Sequence, residues 1–257
     1  MRLFNASSLF ENAENEILDN DKEKLQTRII EIKKMLLKTY NFKVYNQPDD
    51  FTATSYIIAT NHLTDSDAPL IMSYYYDVMH TVKSDYPVLF VFAKENCFNG
   101  VSISQNLLPI LEIEKVCAVD RHSINGSITA IKAAKRWFNE GEKPKHFLLF
   151  AQGTIYDINK DKAEDIENGA FWLAKLLEIP VLPAFIEQAV EGEENRMIFG
   201  EPISVPNNCK DFDDYKQIWL DRVIDAENQL VNVTGKPARE TVLDADHQTR
   251  KKFTQPK

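Results

Sequence analysis

Between about residues 55 and 205, short apolar runs alternate with stretches of helical periodicity, and that alternation leaves few folds open. The runs at 55–60, 88–93, 116–119, 146–151, 181–186 and 196–199 have the length and composition of strands. Helical spacing occupies 67–80, 127–140 and 168–178 between them. It is clearest over 127–140, where Ile128, Ile131, Ala134, Lys135 and Phe138 share one side, Ser127 is placed to cap the start and Gly141 falls just past the end. Strands that take turns with helices build βαβ units. The predicted fold class is therefore α/β, with a mostly parallel central sheet flanked by helices.

The flanks read differently. Residues 8–22 are acidic and polar, and 23–40 form an amphipathic helix with Leu25, Ile29, Ile32, Leu36 and Leu37 on one side and Lys33, Lys34 and Lys38 elsewhere. Such a basic helix either packs on the domain or lies against a membrane surface. Residues 211–231 predict one more helix, with Tyr215, Ile218, Trp219, Val223 and Leu230 as its apolar face. The division expected is a helical segment over 1–50, the main domain over 51–232 and a polar tail over 233–257.

Composition narrows the function classes. With 44% hydrophobic residues in 257 and only 8 Gly and 11 Pro, the chain can bury a sizeable core. A net charge of -9 argues against nucleic acid as a partner and gives no global attraction to anionic lipid. The three cysteines, Cys97, Cys117 and Cys209, are far apart and show no metal-ligand spacing, so they read as reduced thiols. No apolar region follows Met1-Arg2-Leu3-Phe4 as in a signal peptide, and no run approaches the roughly 20 residues of a membrane span. The expected location is cytoplasmic, with peripheral contact to the inner face of a membrane if the 23–40 helix makes it.

The chemistry gathers at the ends of the strand runs. Asn61-His62-Leu63-Thr64-Asp65-Ser66-Asp67 follows the buried run Tyr56-Ile57-Ile58-Ala59-Thr60. Imidazole titrates near neutrality and can take a proton from a hydroxyl; a carboxylate on its other nitrogen fixes the tautomer and stabilises the imidazolium. Lys94 follows the 88–93 run, Asp120-Arg121 closes the 116–119 run, and Gln152-Gly153-Thr154 follows the 146–151 run. Ligands in open α/β sheets bind at the carboxyl ends of the strands, so these groups are expected around one crevice.

In these residues the chain resembles the glycerophospholipid acyltransferases, the glycerol-phosphate and lysophosphatidate acyltransferases. The family's Asn-His-x-x-x-x-Asp motif matches Asn61-His62 through Asp67, and its Asp-Arg motif matches Asp120-Arg121. Its Pro-Glu-Gly-Thr-Arg motif corresponds to Ala151-Gln152-Gly153-Thr154-Ile155, and its proline-bearing strand to Ile179-Pro180-Val181-Leu182-Pro183. Gly169-Ala170 and Gly200-Glu201-Pro202-Ile203 also look like the family, and the resemblance spans about residues 55–205. It implies that His62 is a general base oriented by Asp67. It implies that the acyl donor is acyl-CoA or acyl carrier protein, that the acceptor is lipid-like, and that no cofactor or metal is needed. Arg121 and Lys94 would hold phosphate, and Gln152, Gly153 and Thr154 would line the substrate site, with backbone N–H groups around Gly153-Thr154 facing the oxyanion.

The third motif departs from the family. Gln152 replaces its Glu, Ile155 its Arg and Ala151 its Pro. The loss of one cation removes about 1.5–3 kcal/mol of charge-assisted hydrogen bonding to a phosphate. This leaves open a neutral, amine-bearing or natural-product acceptor, or a degenerate acyl- or lipid-binding module without turnover. Other readings stay open beside these. Asp65 is the rival partner of His62, and Asp67 can cap the helix near Ala68-Pro69. Arg121 can pair with Asp120, Lys94 can be a solvated lysine, and Gln152-Gly153-Thr154 can be a plain turn. The acidic run 157–167 lacks the glycine and final carboxylate of a calcium loop.

Overall fold

The computed structural model describes residues 42–62, 67, 71, 88–93, 116–119, 124–153, 162–187 and 195–234. The helices expected over 23–40 and 67–80 and the tail from 235 lie outside them, apart from the helical positions Asp67 and Ile71. The chain divides into two compact units, one of Met1–Phe42 with Ala68–Gly141 and the other of Lys43–Asp67 with Glu142–Lys257.

In the second unit the strands are β1 (Phe42–Tyr45, whose first residue falls in the other unit), β2 (Ile57–Thr60), β5 (His146–Phe150), β6 (Val181–Glu187) and β7 (Asn195–Phe199). They lie in the order β1-β7-β6-β2-β5. β2 is parallel to both neighbours, with Ile57 beside Phe147 and Val181, and Thr60 beside Phe150 and Ala184. The β6–β7 pairing is antiparallel. Every residue of β2 and β6 is buried, as apolar runs require when a parallel sheet is covered on both faces. The strand β1 was not anticipated; it falls inside the 1–50 stretch that the sequence reads as helical.

Pro183 lies inside a central strand, where a missing N–H should break a ladder. Its carbonyl accepts from Gly200 N–H at 2.9 Å, so its nitrogen faces the edge where β7 has already ended. On the same edge Val181 and Ile203 exchange both backbone hydrogen bonds. The proline therefore costs no ladder bond to β2.

Helix α2 (Gly169–Leu177) buries Ala170, Phe171, Leu173, Ala174 and Leu177, and α3 (Asp213–Thr234) buries Trp219, Leu220, Val223, Ala226 and Leu230. Asp213 and Asp214 in the first turn of α3 suit the positive end of its dipole. Trp219 Nε1 donates to Ala59 O at 3.1 Å, tying α3 to the central strand. Ile218, placed by the sequence on the apolar face, is exposed.

The first unit holds β3 (Val88–Ala93) parallel to β4 (Val116–Val119), with helix α1 (Ile124–Asn139) packed on β4. The helix begins before Ser127, so Ser127 sits in the first turn and is not the cap. The buried stripe is Ala130, Ala134, Trp137 and Phe138, while Ile128 points to solvent. Gly141, just past the end, has φ 74°, the left-handed conformation that glycine adopts freely after a helix. Cys117 lies against this helix with Sγ 3.4 Å from Ala130 O, and burial pushes its thiol up to about 11.

Candidate active site

The site in the second unit is built on the carboxyl end of β2. The backbone ladder continues one step past the strand, because Ala151 N donates to Thr60 O at 3.0 Å. On the other edge the Asn61 side chain takes over from the backbone. Its Nδ2 donates to Ile186 O at 3.0 Å, and its Oδ1 accepts from Ile186 N at 2.7 Å. A side-chain amide can mimic a peptide group in this way because it carries both a donor and an acceptor. The chain therefore leaves β2 at a fixed point, and the next residue is His62.

His62 Nδ1 lies 3.0 Å from Asp67 Oδ2. Both side chains are nearly enclosed, at 10% and 2% exposure, so the contact is shielded from competing water. An ionised carboxylate only accepts, so Nδ1 carries the proton in this pair and Nε2 is left as the basic nitrogen. Asp67 itself has a helical backbone.

Two groups at the end of β5 also contact His62. The Phe150 ring stacks on the imidazole with centroids 3.9 Å apart and planes 10° from parallel. The buried Gln152 accepts the backbone N–H of His62 at its Oε1. Between them the chain makes a tight turn, closed by Gly153 N to Phe150 O at 3.2 Å, with Gly153 at φ 63°. Glycine is required there: a Cβ would meet Glu167 Cγ at 2.5 Å, and the positive φ disfavours any other residue. Glu167 N donates to Ala151 O at 2.9 Å, which fastens the turn to the segment entering α2.

Of the residues that the sequence marks as catalytic or substrate-binding, the structure brings together His62, Asp67, Gln152 and Gly153. Lys94, Arg121 and Thr154 lie outside the described residues, as do Asp65 and Ile155. The Gly153 N–H, expected near an oxyanion, is engaged in closing its own turn. Asn61 and Phe150 went unassigned in the sequence. Asn61 is marked only by its place before the histidine, and Phe150 is indistinguishable from a core residue of its strand. Among the described residues no group of three or more His, Cys, Asp or Glu could hold a metal ion, and no helix is long and apolar enough to cross a membrane.

No protein-family model and no curated protein matches this sequence. Among solved structures, the 1-acyl-sn-glycerophosphate (LPA) acyltransferase PlsC from Thermotoga maritima has a similar fold. The TM-score is 0.54 at 14% identity, over 92% of this chain and 91% of the other. At that identity the likeness is one of fold: the chain has the α/β architecture of that protein, as the motif resemblance led one to expect.

Proposed function

We propose that this chain is an acyltransferase that moves a fatty acyl group from a thioester to a hydroxyl on a glycerolipid-like acceptor. The observation that carries the reading is the enclosed His62–Asp67 pair at the carboxyl end of the central strand, in a fold shared with a lysophosphatidate acyltransferase. His62 Nε2 takes the proton of the acceptor hydroxyl as its oxygen attacks the thioester carbonyl. Asp67 holds the ring and its Nδ1 proton and stabilises the imidazolium. The tetrahedral intermediate expels a thiolate, which receives the proton from Nε2. An ester and a free thiol result, and the base is restored. The thioester is already activated, so the step needs no protein nucleophile and no metal.

The donor is acyl-CoA or acyl carrier protein. Lys94 and Arg121 are the groups proposed to hold its phosphate or the acceptor's, and Gly153 and Thr154 are proposed to line the substrate site. A phosphate-bearing acceptor, a lysophospholipid or glycerol phosphate, is the first expectation from the fold. Ile155 in place of the family's arginine favours a second reading with the same chemistry, in which the acceptor is a neutral or amine-bearing lipid. Work at a lipid surface implies peripheral membrane contact from the cytoplasmic side.

Thiol release from acyl-CoA and from acyl carrier protein, measured with glycerol phosphate, lysophosphatidate, neutral lysolipids and amino-lipids, tests the proposal. Release that needs both an acceptor and His62 is expected, and His62→Ala should lower it by about 10²–10⁴-fold, the usual worth of a general base. Full activity in His62→Ala would refute the mechanism. Thioester binding without release across the panel would favour a binding module. If Ile155→Arg shifts preference toward phosphorylated acceptors, the second reading gains; if preference is unmoved, it fails.

A further inference from the structure

We infer that Phe150 and Gln152, the two residues flanking Ala151 at the end of β5, are positioning residues that clamp His62 rather than ligands of the acceptor. The inference rests on the proposed acyl transfer for its kinetic part only.

The two contacts divide the work. Gln152 is 2% exposed, and its Oε1 accepts the His62 N–H, so it fixes the main chain where the histidine leaves the strand. A side chain so enclosed, with its oxygen directed at a backbone amide, is badly placed to meet an acceptor. Phe150 fixes the ring. With Asp67 holding Nδ1 and an aromatic face against one side of the imidazole, the ring can neither flip nor swing without losing a contact. Its Nε2 is then held in one direction, which a general base needs before any substrate arrives.

The Phe150 contact also changes during the reaction. While the imidazole is neutral, the rings interact by stacking and dispersion. Once the ring has taken a proton, a delocalised cation faces the negative quadrupole of the phenyl group at 3.9 Å, and the attraction increases. A contact that is stronger after proton transfer than before it lowers the barrier, unlike one of constant strength. Gln152 contributes through neutrality. It supplies the acceptor that the His62 amide requires and adds no second carboxylate beside Asp67.

The test has two independent readouts on the full chain. The first needs no substrate: NMR of His62, assigned by comparison with His62→Ala. In the wild type the ring protons facing Phe150 should be shifted upfield by its ring current, and the His62 amide should be protected from hydrogen exchange. Phe150→Leu should abolish the ring shift and leave amide protection, whereas Gln152→Met should abolish protection and leave the shift. Phe150→Tyr and Gln152→Glu, which keep an aromatic face and an acceptor oxygen, should restore each signature. The second readout is kinetic. Phe150→Leu and Gln152→Met should each lower kcat by about 10–100-fold, the usual cost of a misplaced base, with acceptor KM little changed. Signatures that do not respond to the variants would overturn the clamp. A raised acceptor KM at constant kcat would also overturn it, making Gln152 an acceptor ligand. If the NMR signatures respond as expected but no acceptor in the panel is ever turned over, the clamp stands and the acyl-transfer reading fails.

Discussion

Asp67 shows how much one side chain can decide about a neighbour. Its carboxylate can only accept, so it dictates that the His62 proton sits on Nδ1. Asparagine at the same place can present its NH2 group and force the opposite tautomer, with the proton on Nε2. Asp67→Asn should therefore lower kcat on the order of 10²–10⁴-fold while the far-ultraviolet circular dichroism stays that of the wild type. Gly153 decides through the backbone. Gly153→Ala faces both a positive φ and the Glu167 side chain, so it should cost at least ~1–2 kcal/mol in thermal unfolding. It should also reduce turnover, because the turn it distorts carries Gln152. The sequence marks His62, Asp67, Gln152 and Gly153 by their positions at strand ends. It gives no sign that Gln152 reaches a main-chain amide, because that contact depends on the geometry of a turn 90 residues away along the chain.

The strand β5 carries chemistry at its other end as well. His146 begins it, fully buried, with Phe51 stacked at 4.5 Å and Tyr56 at 5.9 Å. Its Nδ1 accepts the Tyr56 N–H at 3.2 Å. Burial pushes its pKa down to about 3, from an ordinary value near 6.5, against partial relief from a hydrogen bond with the Phe51 backbone. Because the folded value lies below the unfolded one, the unfolded chain binds more protons between them. Stability from this group is complete above about pH 6.5 and is lost progressively as the pH falls toward 3. Urea unfolding of His146→Gln, followed from pH 7 to 5, should show a shallower decline than the wild type. In the β6–β7 pair, Glu187 lies directly across from Arg196, and the two form an ion pair with both side chains buried. Arg196 Nη1 also donates to Thr234 Oγ1, at the end of α3, at 3.3 Å. Arg196→Met alone strands a buried carboxylate and should cost about 3–5 kcal/mol in urea unfolding, most of it regained when Glu187 is also made apolar. In the sequence Glu187 falls just past the 181–186 run and Arg196 opens the 196–199 run, and neither is marked there as buried. Their burial follows from strand pairing, which periodicity does not report.

Taken whole, the α/β alternation and the limits of six strands were readable because each run is apolar enough to be buried and is bounded by polar residues. What could not be read was lateral order. Nothing in the run Ile57–Thr60 says that its neighbours are strands some 90 and 125 positions later, nor that Phe42–Tyr45, short and half exposed, joins the far edge. That order places His62, because β2 is hydrogen-bonded along both sides, to β5 and to β6. Sheets open from their margins inward, and amides of an interior strand exchange only when the surrounding unit gives way. The amides of β2 should accordingly be among the slowest to exchange. Heating should extinguish the proposed turnover and the near-ultraviolet circular dichroism signal at the same temperature, because the histidine is mounted on a strand held along both edges. If the proposed activity holds, its loss and the loss of the fold would be one event, with no warm, folded, inactive form between them.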